Sequence, residues 1–344
     1  MTTVLNHELV PPSTHQDHAI VLDGHSLRIE DVAAIARDRQ PVDLHPDAIS
    51  RINKCRDLLE RKIRGHEIMY GVNTGIGELS EVVLSSEQVE QYQKYLLYSH
   101  AAGCGEPCSE ENVRAAMLSR LNTHCWGHSG VRAEIIRTQV EMLNRGVTPV
   151  VCQKGSVGAC GDLSPMAQMA LTLMGEGEVF YKGHRLPAKD GMAEAGIPTI
   201  VFRERDGLAA INGSNFISGM GCLELYDAER WLRTQEIALA MTLEALNANM
   251  TAYDARIHMV RGYPGAQECA ENVRRLTEGS ELLKLPGKKV QDAYSLRSSP
   301  QVVGATREAF KWARHMLEIE LNHCADNPTF FPDEDVVLTG ANFQ

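Results

Sequence analysis

A glycine-rich turn at residues 155–165 holds the residues whose types and spacing best suit chemistry. It reads Gly-Ser-Val-Gly-Ala-Cys-Gly-Asp-Leu-Ser-Pro, so Ala159-Cys160-Gly161 lies among small residues. Such residues allow backbone conformations that larger side chains obstruct, and an amide nitrogen could then approach the carbonyl carbon two residues earlier. Ser164 and Pro165 are typical of a helix N-cap and first helical residue. The segment therefore predicts a reactive backbone turn at the positive end of a helix dipole.

The same turn has two other interpretations. Glycine-rich turns before helices also bind phosphate, but this one lacks the lysine and hydroxyl pair of a P-loop and the full dinucleotide spacing. A cysteine at a helix N-terminus can instead be a nucleophile. The nucleophile-elbow pattern is half present, because Asp162 stands at its second glycine position. A thiol enzyme that uses Cys160 therefore stays open, whereas phosphate binding is disfavoured.

A second motif surrounds one tyrosine with glycines. Residues 69–77 read Met-Tyr-Gly-Val-Asn-Thr-Gly-Ile-Gly and contain Tyr70. Three glycines beside a tyrosine predict a mobile lid. A free tyrosine has a pKa near 10, so a tyrosine base at neutral pH needs help from positive charge or hydrogen bonds. Taken alone, a tyrosine in such a turn is more often a packed aromatic, so the joint occurrence of the two motifs carries the interpretation.

Together the two motifs resemble the aromatic amino acid ammonia-lyase and aminomutase family. The family signature is Ala-Ser-Gly followed by Asp-Leu, and this chain has Cys160 at the middle position. The resemblance implies that Ala159, Cys160 and Gly161 cyclise without help to the electrophile 4-methylideneimidazol-5-one. A serine loses its oxygen as water in that process, whereas a cysteine would lose hydrogen sulfide. The resemblance also implies that Tyr70 is the catalytic base.

Further segments match the family in the same order along the chain. They are 210–214, 290–297, 326–328 and 340–343. By resemblance, the substrate-binding residues in these segments are Asn212, Gln291, Tyr294, Arg297 and Phe343. Arg297 also has a chemical reason to bind an amino acid, because a guanidinium holds a carboxylate through two parallel hydrogen bonds.

Ser99 and His100 carry the expectation about the substrate. The family places these two positions against the substrate ring, and the Ser-His pair resembles the histidine-using branch. A histidine can hydrogen-bond an imidazole, whereas phenylalanine users have apolar residues there. The implied reaction converts L-histidine to trans-urocanate and ammonia. Asn215, the Ser298-Ser299 pair and Gln344 depart from the usual residues of histidine users, so a phenylalanine or tyrosine ammonia-lyase, or an aromatic aminomutase, stays open.

The resemblance implies a mainly α fold of the fumarase/aspartase-like superfamily. Residues 1–205 are expected to form a mostly helical N-terminal domain with small β elements, which carries the tyrosine loop and the prosthetic-group segment. Residues 206–344 are expected to form part of a long central helical bundle. The apolar face of one long helix is predicted from Leu232, Leu239, Leu243, Leu246 and Met250. A small hairpin is predicted from residues 20–22 and 27–29 around an Asp-Gly pair.

Relatives continue well beyond residue 344, so the chain is interpreted as C-terminally truncated, without the C-terminal helical part. Relatives are also tetramers whose active sites draw residues from several subunits, and a homotetramer is therefore expected. An inactive, shortened assembly subunit is the alternative from another class of protein.

Composition narrows the remaining classes of function. The 344 residues carry a formal net charge of -11, with a pI near 5.6, which argues against nucleic acid or anionic membranes as partners. Residues 1–16 lack the apolar core of a signal peptide, no run approaches a membrane span, and a cytoplasmic location is expected. Nine cysteines without a regular frame are typical of reduced thiols. No zinc-finger spacing is present, so no metal is expected.

Overall fold

The computed structural model describes residues 19–158 and 160–341. Residues 1–18, Ala159 and Phe343 lie outside the described residues, so the expectations for the N-terminal residues and for these two site residues have no structural counterpart here. The helices are α1 (Ile29–Arg37), α2 (Pro46–Arg64), α3 (Ser86–His100), α4 (Glu110–His124), α5 (Ala133–Arg145), α6 (Leu163–Leu173), α7 (Ala188–Glu194), α8 (Asp206–Ile211), α9 (Asn215–Ala245), α10 (Ala255–Arg261), α11 (Pro264–Leu276), α12 (Tyr294–Arg297) and α13 (Ser299–Leu321). The mainly α fold is confirmed.

The strands are short and form small separate sheets. They are β1 (Ile20–Leu22), β2 (Val42–Leu44), β3 (Cys104–Pro107), β4 (Thr148–Pro149), β5 (Cys152–Lys154), β6 (Glu178–Tyr181), β7 (His184–Pro187), β8 (Thr329–Phe331) and β9 (Val336–Leu338). Strand β1 pairs in parallel with β2, and the other pairs, β3-β5, β4-β6-β7 and β8-β9, are antiparallel. Three short 3-10 turns complete the regular structure, at Gly77–Leu79, Met250–Tyr253 and Leu282–Lys284.

The hairpin predicted at residues 20–29 is wrong. Asp23 closes a local turn there, because its carboxylate accepts hydrogen bonds from the backbone nitrogens of His25 at 2.7 Å and Ser26 at 2.9 Å. The chain then enters α1 at Ile29, which is fully buried, instead of returning along β1. The partner of β1 is instead β2, which follows α1 in the sequence.

The apolar interior falls into one large core, a second core that shares α9 with it, and a small cluster between α2, the tyrosine loop and β8. The large core includes residues of α1, α4, α5, α6 and the first part of α9, whereas a second core gathers the later part of α9 with α11 and Val303 of α13. The prediction of a long helix is confirmed, since Leu232, Leu239 and Leu243 are buried on α9. Leu246, however, is exposed, just after the last helical residue. The domain division at residues 205 and 206 stays a prediction.

None of the helices in the described part of the chain combines the length and apolarity needed to cross a lipid bilayer. The same residues contain no group of three or more histidine, cysteine, aspartate or glutamate side chains that could hold a metal ion.

Candidate active site

The turn at residues 158–161 has a backbone that favours glycine. Gly158, Cys160 and Gly161 have φ angles of 73°, 55° and 75°, all in the left-handed region. At Cys160 this conformation costs about 1–3 kcal/mol, so the surrounding structure must impose it. A Cβ atom on Gly161 would lie 2.3 Å from the backbone carbon and oxygen of Gly213. Only glycine therefore satisfies both the φ angle and the close approach at residue 161.

Asp162 fastens this turn to α9. Its backbone nitrogen donates to the carbonyl of Gly213 at 2.9 Å. Its carboxylate accepts from the Ser156 hydroxyl and from the backbone nitrogen of Ile217, both at 2.8 Å. The N-cap prediction for Ser164 is wrong, because α6 begins at Leu163 with Asp162 in the N-cap position. The cap makes no side-chain bond to its own helix, since the carboxylate is already committed to the turn and to α9.

Asn212 ends α8, and a buried ion network orients its side chain. Asn212 is 2% exposed, and its amide nitrogen donates to the carbonyl of Asn327 at 2.7 Å. The neighbouring Asp326 accepts from Arg205 at 2.7 Å and from Arg120 at 3.0 Å, and all three side chains are fully buried. Burial lowers the pKa of Arg120, and the pairing with Asp326 opposes that shift. Sequence reasoning identified residues 326–328 but missed both arginines, because isolated arginines carry no local signal of such a contact.

The tyrosine loop rests on α8. A Cβ on Gly71, whose φ is 62°, would lie 2.2 Å from Cδ2 of Leu208. The side chain of Asn73 closes the loop by accepting from the backbone nitrogen of Met69 at 2.8 Å. Tyr70 is half-buried, and the backbone nitrogen of Gly77 donates to its phenolic oxygen at 3.3 Å. A donor aimed at that oxygen stabilises negative charge on it, as a base requires.

Ser99 and His100 form the last turn of α3. Nδ1 of His100 lies 2.8 Å from the carbonyl oxygen of Leu96. Because a carbonyl only accepts hydrogen bonds, this contact requires a proton on Nδ1, and in the tautomer with its proton there Nε2 is an acceptor. The Ser99 hydroxyl donates to the same carbonyl at 2.9 Å. The helix end lies beside the reactive turn, since a Cβ on Gly155 would be 3.1 Å from Cα of Gly103.

The tyrosine loop, the Cys160-Gly161 turn and α3 meet at α8 and at the connection from α8 to α9. The tyrosine loop packs on Leu208, and the reactive turn packs on Gly213. Helix α3 joins them through Gln93, which is fully buried and accepts from the backbone nitrogen of Gly207 at 2.9 Å. The segments that carry five predicted site residues therefore lie at one end of α9. These residues are Tyr70, Ser99, His100, Cys160 and Asn212.

Three other predicted residues lie at the opposite end of α9. Asn249 lies just beyond the C-terminal end of α9 and is hydrogen-bonded to the segment at residues 289–292, which contains Gln291. That segment leads directly into α12, which begins at Tyr294 and ends at Arg297. Helix α9 has 31 residues, and at 1.5 Å per residue it spans about 46 Å. Within one chain the predicted site is thus divided between two half-sites. We call them the turn half-site (Tyr70, Ser99, His100, Cys160 and Asn212) and the arm half-site (Gln291, Tyr294 and Arg297).

The arm half-site is open and presents a stacked arginine. The guanidinium carbon of Arg297 lies 3.9 Å from the ring centroid of Tyr294. The side-chain amide of Gln291 faces the same guanidinium, and the amide orientation that turns its oxygen towards Arg297 places that oxygen 2.8–2.9 Å from the three nitrogens. Tyr294 is 73% exposed, and Gln291 and Arg297 line a cavity of about 320 Å³ together with Asn249 and other residues. No carboxylate in the described ranges pairs with Arg297, so its planar fork suits the carboxylate of a ligand.

Comparison with known proteins extends over most of the chain. A family model described as aromatic amino acid lyase matches residues 27–344. The histidine ammonia-lyase of Caldanaerobacter subterraneus subsp. tengcongensis is 45% identical over 325 residues, which are 94% of this chain and 64% of that protein. The histidine ammonia-lyase of Alkaliphilus metalliredigens is 41% identical with the same coverage. The chain therefore spans about 64% of the length of these curated relatives.

Solved structures with the same fold include several activities. Ergothionase from Treponema denticola superposes with a TM-score of 0.91 at 29% identity, covering 95% of this chain and 66% of that one. Tyrosine aminomutase from Streptomyces globisporus gives 0.88 at 35% identity, with 95% and 65% coverage. Histidine ammonia-lyase from Trypanosoma cruzi gives 0.86 at 33% identity, with 95% and 61% coverage.

Proposed function

The chain belongs to the aromatic amino acid lyase family, and from this premise we propose that the protein containing it eliminates ammonia from L-histidine to give trans-urocanate. One observation carries the proposal: a left-handed Cys160-Gly161 turn is packed on Gly213, and the loop that bears Tyr70 packs on Leu208 of α8, the helix that leads to Gly213. The curated relatives named above are histidine ammonia-lyases, which supports histidine as the substrate.

The turn fits the 4-methylideneimidazol-5-one group of the family. Its formation requires the nitrogen of Gly161 to bond to the carbonyl carbon of Ala159, whose oxygen leaves as water. The sulfur of Cys160 then leaves with the Cα proton as hydrogen sulfide. A side chain on Gly161 would collide with Gly213, and that absence of space supports a glycine-only turn. When present, the group supplies an electron-poor carbon that draws electron density from the substrate.

Tyr70 is the proposed base for the elimination. Its oxygen takes the proton from the β carbon, the electrons of that C–H bond form the Cα–Cβ double bond, and the amine leaves with the C–N electron pair. The donation from the backbone nitrogen of Gly77 at 3.3 Å supports this role, because it stabilises the charged oxygen before the proton is taken. Asn212 is proposed to orient the substrate from its fixed position at the end of α8.

His100 is the proposed reader of the substrate ring, with Ser99 beside it. With Nδ1 donating to Leu96, Nε2 offers a lone pair that an imidazole N–H can fill. A phenyl ring has no such donor and would leave the acceptor unpaired, which costs binding energy. This tautomer therefore supports a substrate with a ring N–H or O–H group and argues for histidine over phenylalanine.

We also propose that the catalytic site forms between copies of the chain in a homotetramer. Arg297 would hold the substrate carboxylate, with Gln291 and Tyr294 beside it, but the arm half-site and the turn half-site lie at opposite ends of α9. A second copy that brings its arm to the first copy's turn would join them. Phe343 keeps its proposed place near the substrate. The cytoplasmic location expected from composition stays a prediction.

Mixing two inactive variants is expected to restore activity. Tyr70→Phe damages the turn half-site and Arg297→Gln damages the arm half-site, so each variant alone should have little turnover. In randomly mixed oligomers, about a quarter of the sites would pair an intact turn with an intact arm, and about a quarter of wild-type turnover should return. Activity of the co-expressed and co-purified chains on L-histidine measures this. Tyr70→Phe mixed with Gly161→Ala is the control, because both changes damage the same half-site and no recovery is expected. No recovery in the first mixture would place the whole site in one chain.

Intact mass and turnover test the proposed function itself. The purified protein should be lighter than its sequence by one water and one hydrogen sulfide, with the loss mapped to residues 159–161, and should release urocanate from L-histidine. An unmodified chain with an alkylatable Cys160 and no lyase turnover would contradict the proposal. Thiol-dependent turnover would then favour a Cys160 enzyme, and its absence would favour an inactive assembly subunit.

An aromatic aminomutase is the second candidate, along with the related phenylalanine and tyrosine lyases. Aminomutase structures superpose with TM-scores of 0.88 and 0.90, as high as or higher than the 0.86 of the histidine ammonia-lyase of Trypanosoma cruzi. A mutase would return the amine to the β carbon. Recovery of a β-amino acid, instead of free ammonia and an acrylate, would therefore identify it.

A further inference from the structure

The arm half-site is held by one side chain that no catalytic role requires. The amide nitrogen of Asn249 donates to the backbone carbonyls of Lys289 at 3.1 Å and Val290 at 3.2 Å. The backbone nitrogen of Asn249 donates to the carboxylate of Asp292 at 2.6 Å. The two side-chain bonds fix the backbone of the two residues before Gln291, and the backbone bond holds the side chain of Asp292, the residue after it.

The orientation of the Asn249 side chain is itself fixed. Its oxygen accepts from the backbone nitrogen of Thr251 at 3.1 Å and from the Thr251 hydroxyl at 2.8 Å. Rotating the amide by half a turn would therefore set donors against donors and acceptors against acceptors. The amide can hold the arm in one orientation only.

The other end of the arm is fastened by the same short segment of chain. Tyr253 ends the 3-10 turn that follows Asn249, and its hydroxyl donates to the carbonyl of Leu296. Tyr253 is 1% exposed. Burial raises its pKa to about 12, so the hydroxyl stays a donor at neutral pH. The backbone carbonyl of Tyr253 accepts a hydrogen bond from the Arg274 guanidinium at 2.6 Å. Gln291 and Tyr294 thus lie between two fixed points.

Polar contacts matter here because, within one chain, packing leaves part of the arm uncovered. Val290 is 99% exposed and Tyr294 is 73% exposed in the described chain. Exposed side chains contribute little burial energy, and an unfastened segment of this kind would sample many conformations. If the arm became ordered only when the substrate binds, the conformational entropy lost would weaken affinity. An arm that is already ordered avoids that loss of entropy.

We propose that Asn249 is a positioning residue for carboxylate binding, which holds Gln291 and, through it, Arg297 in place before the substrate arrives. The proposal rests on the proposed carboxylate-binding role of Arg297. A carboxylate is bound in both the ground state and the transition state, so a loosened arm changes KM much more than kcat. Asn249 does not contact the turn half-site, and formation of the electrophile is independent of it.

Asn247 offers a matched control on the same connection. Its amide nitrogen donates to the carbonyls of Leu285 at 3.5 Å and Pro286 at 3.1 Å, and its oxygen accepts from Nζ of Lys288 at 2.8 Å. These contacts end before Lys289, and Nζ of Lys288 keeps its bond to the carbonyl of Ala248 at 2.7 Å when Asn247 is replaced. Asn247 also has a φ of 46°, a region that alanine disfavours. Asn247→Ala should therefore lose at least as much stability as Asn249→Ala without loosening Gln291.

The test compares Asn249→Ala with Asn247→Ala in the full-length, assembled protein, with L-histidine as the substrate. Asn249→Ala should raise KM about tenfold, equivalent to about 1.4 kcal/mol, with kcat within about twofold and the intact mass of the mature protein unchanged. Asn247→Ala should lower the melting temperature but keep KM. Equal KM values in the two variants, or a loss of kcat alone, would overturn the proposal.

Hydrogen exchange separates failure of this inference from failure of the proposed function. Asn249→Ala should speed exchange of the backbone amides of Leu296 and Arg297, which donate to the carbonyl of Ala293 within the arm, and Asn247→Ala should not. If the wild-type protein has no turnover, the lyase proposal fails, and exchange still decides whether Asn249 orders the arm. Unchanged exchange in Asn249→Ala would overturn the positioning role whatever the activity.

Discussion

Tyr70→Phe is expected to lower turnover of L-histidine by about a thousandfold, since a general base contributes on the order of a hundred- to ten-thousandfold and the substitution deletes the only atom that accepts the proton. The ring stays packed against the large core, so stability should change little. The mass lost at residues 159–161 should match that of the wild type, because Tyr70 has no part in forming the electrophile. Steady-state kinetics and intact mass, measured on the same preparation, check both statements.

Tyr92 provides the matched control for that substitution. It is also half-buried, and it accepts a hydrogen bond from the backbone of Ile76, next to the amide that serves Tyr70. Burial raises the pKa of Tyr92, and the nearby Tyr70 raises it further, so Tyr92 stays protonated and is unsuited to act as a base. Tyr92→Phe should cost less than about tenfold in turnover. Comparable losses from the two substitutions would remove the base role from Tyr70 and leave both tyrosines as supports of the loop.

Gly161→Ala is expected to abolish maturation and, with it, all turnover. The added Cβ would lie 2.3 Å from the backbone of Gly213, and residue 161 has a φ of 75°. A methyl group there forces the turn away from α9, so the nitrogen of residue 161 loses the approach that cyclisation requires. The intact mass should equal the mass calculated from the sequence, without loss of water or hydrogen sulfide.

Gly158→Ala separates lack of space from backbone strain. Gly158 has a φ of 73°, almost the same as Gly161, but nothing lies within 4 Å of an added Cβ. It should lose about 1–3 kcal/mol of stability through strain and still mature. A mature mass in Gly161→Ala, or an immature mass in both variants, would show that contact with Gly213 does not control the chemistry.

The sequence predicted best what depends on local pattern. The long helix α9 follows from apolar spacing, and the motifs around Tyr70 and Gly161 follow from the density of glycine. The failures involve contacts between distant residues. The carboxylate of Asp162 accepts a hydrogen bond from a backbone nitrogen 55 residues away. Asp162 is the N-cap of α6, in place of the predicted Ser164.

Two more features of the site could not be predicted from local sequence patterns, because they too depend on contacts between distant residues. Arg205 and Asp326 are 121 residues apart, so neither residue indicates the other in the sequence. The division of the site depends on the length and direction of α9 in space, which motif order does not contain. The resemblance implied active sites shared between subunits, but it did not say which residues are separated within one chain. The folded chain places Arg297 and Cys160 at opposite ends of a long helix.

If the turn cyclises as proposed, the contact between Gly161 and Gly213 leaves a covalent modification that shows whether a chain has ever folded. The bonds that shape the turn come from the α8–α9 connection and from the first turn of α9, so they exist only after the distant segments have docked. Loss of sulfide is irreversible once the gas escapes, so a chain that docked and later unfolded would keep the mark. In a preparation of mixed quality, the unmodified fraction would therefore count the molecules that never reached the native arrangement, as distinct from those that reached it and lost it.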